Sequence, residues 1–130
     1  MVDVSKKTSS PELSPPKLNL VVVRASDMEV SQRFYELLGL QFIKHQHASG
    51  PEHLCAELDG EVVFEIYPTV SGATEENHVR IGFTVSNVDT LLSVISSNGY
   101  TVHTGSSQTQ WGYRAVVLDP DNNRVELVQA

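Results

Sequence analysis

The amino-acid sequence predicts an α+β fold made of two β-α-β-β-β modules, and three observations predict it. The stretch "SDMEVSQRFYELLGLQF", Ser26 to Phe42, is echoed by "SNVDTLLSVISSNGYTV", Ser86 to Val102, so that Ser86, Asp89 and Gly99 stand 60 positions after Ser26, Glu29 and Gly39. A match at constant offset marks a repeated structural unit. Each copy is preceded by one run rich in β-branched residues and followed by three more β-type runs. Finally, 130 residues with 40% hydrophobic content support one packed body, or two small fused modules with a shared core, but not two independent domains.

In chain order, "MVDVSKKTSSPELSPP" is polar and proline-bearing and predicts a disordered tail over residues 1–16, with ordered structure from Lys17. "LNLVVVR" is a strand. Ser26 as N-cap with Glu29 three positions later forms a capping box, and Val30, Phe34, Leu37 and Leu38 give the following helix its apolar face. Gly39 suits the left-handed position that ends a helix. Strand "LQFIKHQ" follows, then "HLCAELDG" and "EVVFEIYP" joined through Asp59 and Gly60, a tight-hairpin pair. This first module spans 17–68, and the turn-rich "TVSGATEEN" over 69–77 is the linker. The second module, 78–130, repeats the order. "HVRIGFTV" is its first strand, Ser86 with Asp89 caps a helix lined by Val88, Leu91, Leu92 and Ile95, and Gly99 stops it. "TVHTG", "YRAVVLD" and "NRVELVQ" complete the module, the last two joined by "DPDNN".

Charge and cysteine content narrow the function. With 9 basic and 16 acidic residues the net charge is −7, a field that repels phosphate backbones and anionic membranes, so neither nucleic acid nor membrane is an expected partner. No apolar run approaches the roughly 20 residues of a membrane span. The single cysteine, Cys55, has no internal disulfide partner, which fits a cytoplasmic location.

"SDMEVSQRFYELLG" after the first strand, "FEIYP" closing the first module and "WGYRAVVLDPDNNRVEL" closing the second together resemble the vicinal oxygen chelate superfamily, which includes glyoxalase I, extradiol dioxygenases and the bleomycin and fosfomycin resistance proteins. The resemblance covers Leu18 to Gln129. It implies mixed sheets curled around a cleft, and a homodimer in which modules pair within or between chains. Metal-using members hold a divalent ion on four positions, one in the first and one in the last strand of each module. Carried onto this chain, those positions are Leu20, Glu65, Arg80 and Glu126. Leucine has no lone pair and arginine offers only donors, so two of the four cannot ligate a cation. His78, two residues before Arg80, is the nearby replacement, and a metal, if present, would have Glu65, Glu126 and His78 to bind it.

Glu65 and Glu126 each lie between apolar neighbours with the alternation of an inward-facing strand position, and Arg80 either neutralises them as an internal ion pair or stands with them in an open cleft that awaits a ligand. Trp111 and Tyr113 are expected to share one strand face, which lines the cleft with Leu20, Glu65, Arg80 and Glu126 or, at least as readily, packs in the core against the helices; Arg114 falls on the opposite face and, like Arg24, is read as a surface residue. His45, His47 and His53 in "KHQHASGPEH" resemble a metal tract by spacing alone; in a turn-rich loop they read as solvated histidines, with "ASGPEH" as a lid at the cleft mouth. Cys55 reads as buried packing. No nucleophile elbow, phosphate loop or serine-histidine-aspartate signature occurs, so no catalytic residue is named. The reading is a metal-independent small-molecule-binding protein without a cofactor. The alternatives are a metal-dependent lyase or dioxygenase using Glu65 and Glu126 as ligand or general base, and a catalytically silent subunit whose cleft is closed by its own side chains.

Overall fold

A computed structural model describes residues 18–59, 62–70 and 78–130; the expected tail, the Gly60 half of the first hairpin turn and most of the linker lie outside them. The elements are β1 (Leu20–Ala25), α1 (Met28–Leu37), β2 (Ile43–His45), β3 (His53–Glu57), β4 (Val63–Pro68), β5 (Arg80–Val85), α2 (Val88–Ser97), β6 (Val102–Thr109), β7 (Gly112–Leu118) and β8 (Arg124–Gln129). They form two four-stranded mixed sheets of matching order, sheet A as β1-β4-β3-β2 and sheet B as β5-β8-β7-β6, neither closed into a barrel. In both, the first and last strands of the module run parallel and the others pair antiparallel.

The repeat is exact in its helical grammar. Gly39 and Gly99 both have positive φ, 107° and 86°, and each lets the residue after it bond back five positions, Leu40 N–H to the Tyr35 carbonyl and Tyr100 N–H to the Ile95 carbonyl. The N-caps stand one residue later than Ser26 and Ser86. Asp27 accepts from Val30 N–H at 3.2 Å and Asn87 from Thr90 N–H at 3.0 Å, since a carboxylate or amide oxygen at those positions reaches the first-turn donors directly.

One core joins the modules. Phe34 and Tyr35, rather than Val30 and Leu37, are the buried apolar side chains of α1, and Val88 and Ile95 are those of α2. Phe34 meets Tyr100 edge-on at 5.1 Å between centroids, and Phe64 of sheet A lies 6.1 Å from Phe83 of sheet B. The turn Asp119 to Asn123 ties the halves with polar contacts. Buried Asp119 accepts from Tyr35 Oη at 2.7 Å, from the backbone of Asp121 and Asn123, and from Asn123 Nδ2. Asp121 accepts in turn from Ser26 N–H and Ser31 Oγ, and Asn123 from Val79 N–H. Burial, reinforced by the Asp119 charge, pushes Tyr35 far above the usual tyrosine range, so it stays a donor.

Candidate functional site

Because strand side chains alternate, register assigns every residue to the core or to the open face of its sheet. In sheet A, Val23 faces Ile66 and Ala56 faces Phe64 in the core, which leaves Leu20, Val22, Arg24, Glu65, Tyr67, Cys55, His53, Ile43 and His45 on the open face. In sheet B, Ala115 and Leu127, and Val117 and Val125, pair on the core side. Arg80, Glu126, Arg114 and Val116 therefore occupy the open face.

This decides between the two readings of Tyr113 and corrects that of Arg114. Tyr113 lies with Ala115 on the helix side, its hydroxyl donating to Asp89 of α2 at 2.9 Å, and Trp111 is in the β6–β7 turn, 48% exposed, rather than in a strand. Neither joins the open face. Arg114, expected outside, does: its Nη2 lies 2.8 Å from Glu126 Oε2, while Arg80 donates to the same oxygen through Nη2 at 2.9 Å and Nε at 3.3 Å. Two guanidiniums, one from each neighbouring strand, thus clamp one carboxylate. Burial works to raise the Glu126 pKa, but the Arg80 hydrogen bond and the charges of both arginines outweigh it and hold the carboxyl below the usual glutamate range. Arg114 Nε is buried without a hydrogen-bond partner among the described residues.

Glu65 has a different environment. Its Oε2 lies 3.5 Å from Nε2 of His53, and the register places Val22 on one side of it and Cys55 on the other. Of the two arrangements that the sequence left open, the internal ion pair forms in part: among the described residues Arg80 pairs with Glu126 and not with Glu65. Burial and then the Glu65 carboxylate push the Cys55 thiol up, so it persists as a thiol beside that acid. Arg24 lies over the Tyr67 ring at 5.2 Å and donates to the Pro68 carbonyl. His78 precedes β5 and is exposed.

The four positions that the resemblance assigns to a metal, Leu20, Glu65, Arg80 and Glu126, lie on the open faces of β1, β4, β5 and β8. Leu20 presents carbon only, Arg80 presents a cation, and Glu126 already spends its charge on two arginines.

The family model described as the Glyoxalase/Bleomycin resistance protein/Dioxygenase superfamily matches residues 17–127. The chain belongs to this superfamily. Among solved structures, the antibiotic-binding protein TnmS3 from Streptomyces sp. CB03234 superposes with a TM-score of 0.72 at 23% identity, covering 91% of this chain and 98% of that one. A glyoxalase/bleomycin resistance protein from the same Streptomyces gives 0.68 at 24%, covering 87% and 100%. A lactoylglutathione lyase from Agrobacterium tumefaciens gives 0.65 at 15%, covering 89% and 95%. At such identities the likeness is one of fold, and the fold hosts both binding and catalysis. No curated protein matches the sequence.

Proposed function

We propose that this member of the superfamily is a small-molecule-binding protein of the bleomycin-resistance type that takes its ligand with no metal at the superfamily's four positions, and that it works as a homodimer. The observation that carries the reading is the Arg80–Glu126–Arg114 clamp, which puts positive charge where a metal-using relative needs ligand lone pairs. Two guanidiniums against one carboxylate leave an excess positive charge on the open face of sheet B. A ligand with an anionic oxygen, a carboxylate or acidic phenol, fits that surplus. The antibiotic binding stated for TnmS3 is in keeping with a binding role on this fold.

The test is a thermal-shift screen of chelator-stripped protein against aromatic and glycopeptide compounds, each with and without an acidic group. Stabilisation by the acidic members, weakened in Arg114→Lys, supports the reading. Stoichiometric zinc binding that Glu126→Ala abolishes would overturn it in favour of a metal-dependent enzyme.

A further inference from the structure

The open face of sheet A carries a cluster that the ligand reading does not use. His45 and His53 stand opposite each other in the β2–β3 register, and His47 returns over them from the loop after β2. The ring centroids are 6.0 Å apart for His45 and His53, 5.2 Å for His47 and His53, and 6.0 Å for His45 and His47. One ligating nitrogen from each ring lies within 4.8 Å of the other two. These are not three solvated loop histidines: His53 is 1% exposed and stacks on Tyr67 at 4.3 Å with 6° between planes.

His53 supplies the second observation. Its Nδ1 lies 3.3 Å from the Pro51 carbonyl, an acceptor only, which orients the ring with Nδ1–H on that carbonyl and turns Nε2 toward Glu65. Nε2 is buried, has no hydrogen-bond partner among the described residues, and lies 3.5 Å from the Glu65 carboxylate. A buried ring nitrogen that faces a carboxylate without a hydrogen bond is a place that a cation would satisfy. A backbone carbonyl on the far ring nitrogen is also how metal-binding histidines are commonly oriented.

We propose that His45, His47 and His53 hold one divalent transition cation, with zinc the first candidate, His53 binding through Nε2 and Glu65 balancing the charge. Three imidazoles suit zinc, copper or nickel and leave a fourth position for water or an exogenous donor. Zinc–nitrogen bonds of about 2.0–2.1 Å place tetrahedral ligand atoms roughly 3.3 Å apart. His53 is fixed by its stack on Tyr67, so the exposed His45 and His47 close the remaining distance by side-chain rotation. The site is distinct from the clamp that carries the binding reading: it shares Glu65 with the four superfamily positions, as a charge-balancing neighbour, and uses none of Leu20, Arg80 or Glu126.

The experiment is calorimetric titration of the untagged, chelator-stripped full chain with zinc at neutral pH, with cobalt(II) as a spectroscopic probe of coordination number. One ion per chain is expected, with an intense four-coordinate cobalt spectrum. His45→Ala and His47→Ala, both at exposed positions, should each weaken binding at least tenfold, whereas Glu126→Ala should leave it unchanged. No saturable binding of zinc, cobalt, nickel or copper, or binding indifferent to both histidine substitutions, would overturn the site. Binding lost in Glu126→Ala but kept in the histidine variants would overturn this site and the metal-free reading together; failure of the ligand screen alone bears only on the latter.

Discussion

The two arginines on Glu126 are unequal, and exposure decides their worth. The Arg80 side chain is 55% exposed and that of Arg114 17%, so solvent screens the first pair far more than the second. Arg80→Met is expected to cost about 0.5 kcal/mol, in the range of surface pairs, and Arg114→Met about 2 kcal/mol because it strips the better-shielded partner; urea unfolding of both variants checks the order. Protonation gives an independent handle. A carboxyl whose folded pKa is depressed favours the folded state above the ordinary glutamate value of 4.5, and that contribution disappears as pH falls through the depressed value. Glu126→Gln should therefore lower stability at neutral pH and flatten the acid limb of the stability profile; an acid limb identical to the parent's would show that the clamp contributes nothing. The same geometry limits repair of the superfamily's metal site. Leu20→His with Arg80→His supplies two nitrogens but leaves Arg114 on Glu126, so tight zinc binding there should require Arg114→Leu as well. Equal affinity in the double and triple variants, each carrying His47→Ala to silence the histidine cluster, would count against the inhibitory role of Arg114.

At the scale of elements, much of the structure was legible because the same local grammar is written twice. Both glycine stops and both helices are where the 60-residue repeat places them, and β-branched runs mark the strands. The N-caps are displaced by one residue because serine, aspartate and asparagine all make good caps, and local pattern does not rank adjacent candidates. "DPDNN" was recognisable as a turn, but its reach into the first module was not, since Tyr35 and Asp119 are 84 residues apart. That turn is a buried polar hub, and its value lies in being fully satisfied. Asp119→Ala leaves Tyr35 Oη, the Asn123 amide and two backbone N–H groups without their acceptor, and should cost about 3 kcal/mol or more. Tyr35→Phe should cost about 1 to 2 kcal/mol, and the double variant less than the sum, because the two substitutions remove one shared contact. Strict additivity in denaturant unfolding would place the hub's energy elsewhere.

At the scale of the whole molecule, the candidate site was legible in its glutamates and illegible in what surrounds them. Glu65 and Glu126 are on open faces as alternation implies, yet the sequence left the face of Tyr113 undecided and read Arg114 as a surface residue, because "GYRAVVL" is apolar on both sides of the strand: Val116 shares the open side with Arg114 and is itself buried. Periodicity orients a strand only where one of its faces is polar. His53 was misread for a related reason, while His45 and His47 are exposed as expected: a three-residue β2 and a cross-strand stack on Tyr67 desolvate His53, and neither follows from local composition. The open faces also bear on assembly. Leu20, Val22 and Ile43 are exposed on the same side of sheet A, and β1 and β5 are edge strands. Two open four-stranded sheets with apolar outer residues leave surface that a second chain of the same kind can cover, and an isologous contact buries each patch twice for one set of residues. Sedimentation at tens of micromolar should therefore show a dimer. Val22→Arg, which puts a charge beside Leu20 while leaving the core side of β1 untouched, should shift the chain to monomer with its helix content unchanged. If the open face of sheet A is the covered one, Ile43→Lys should weaken the dimer as well, whereas an exposed helix substitution such as Arg33→Glu should not. A parent chain that stays monomeric at those concentrations would mean that the open faces meet solvent or ligand alone, and that any cleft must be completed within one chain.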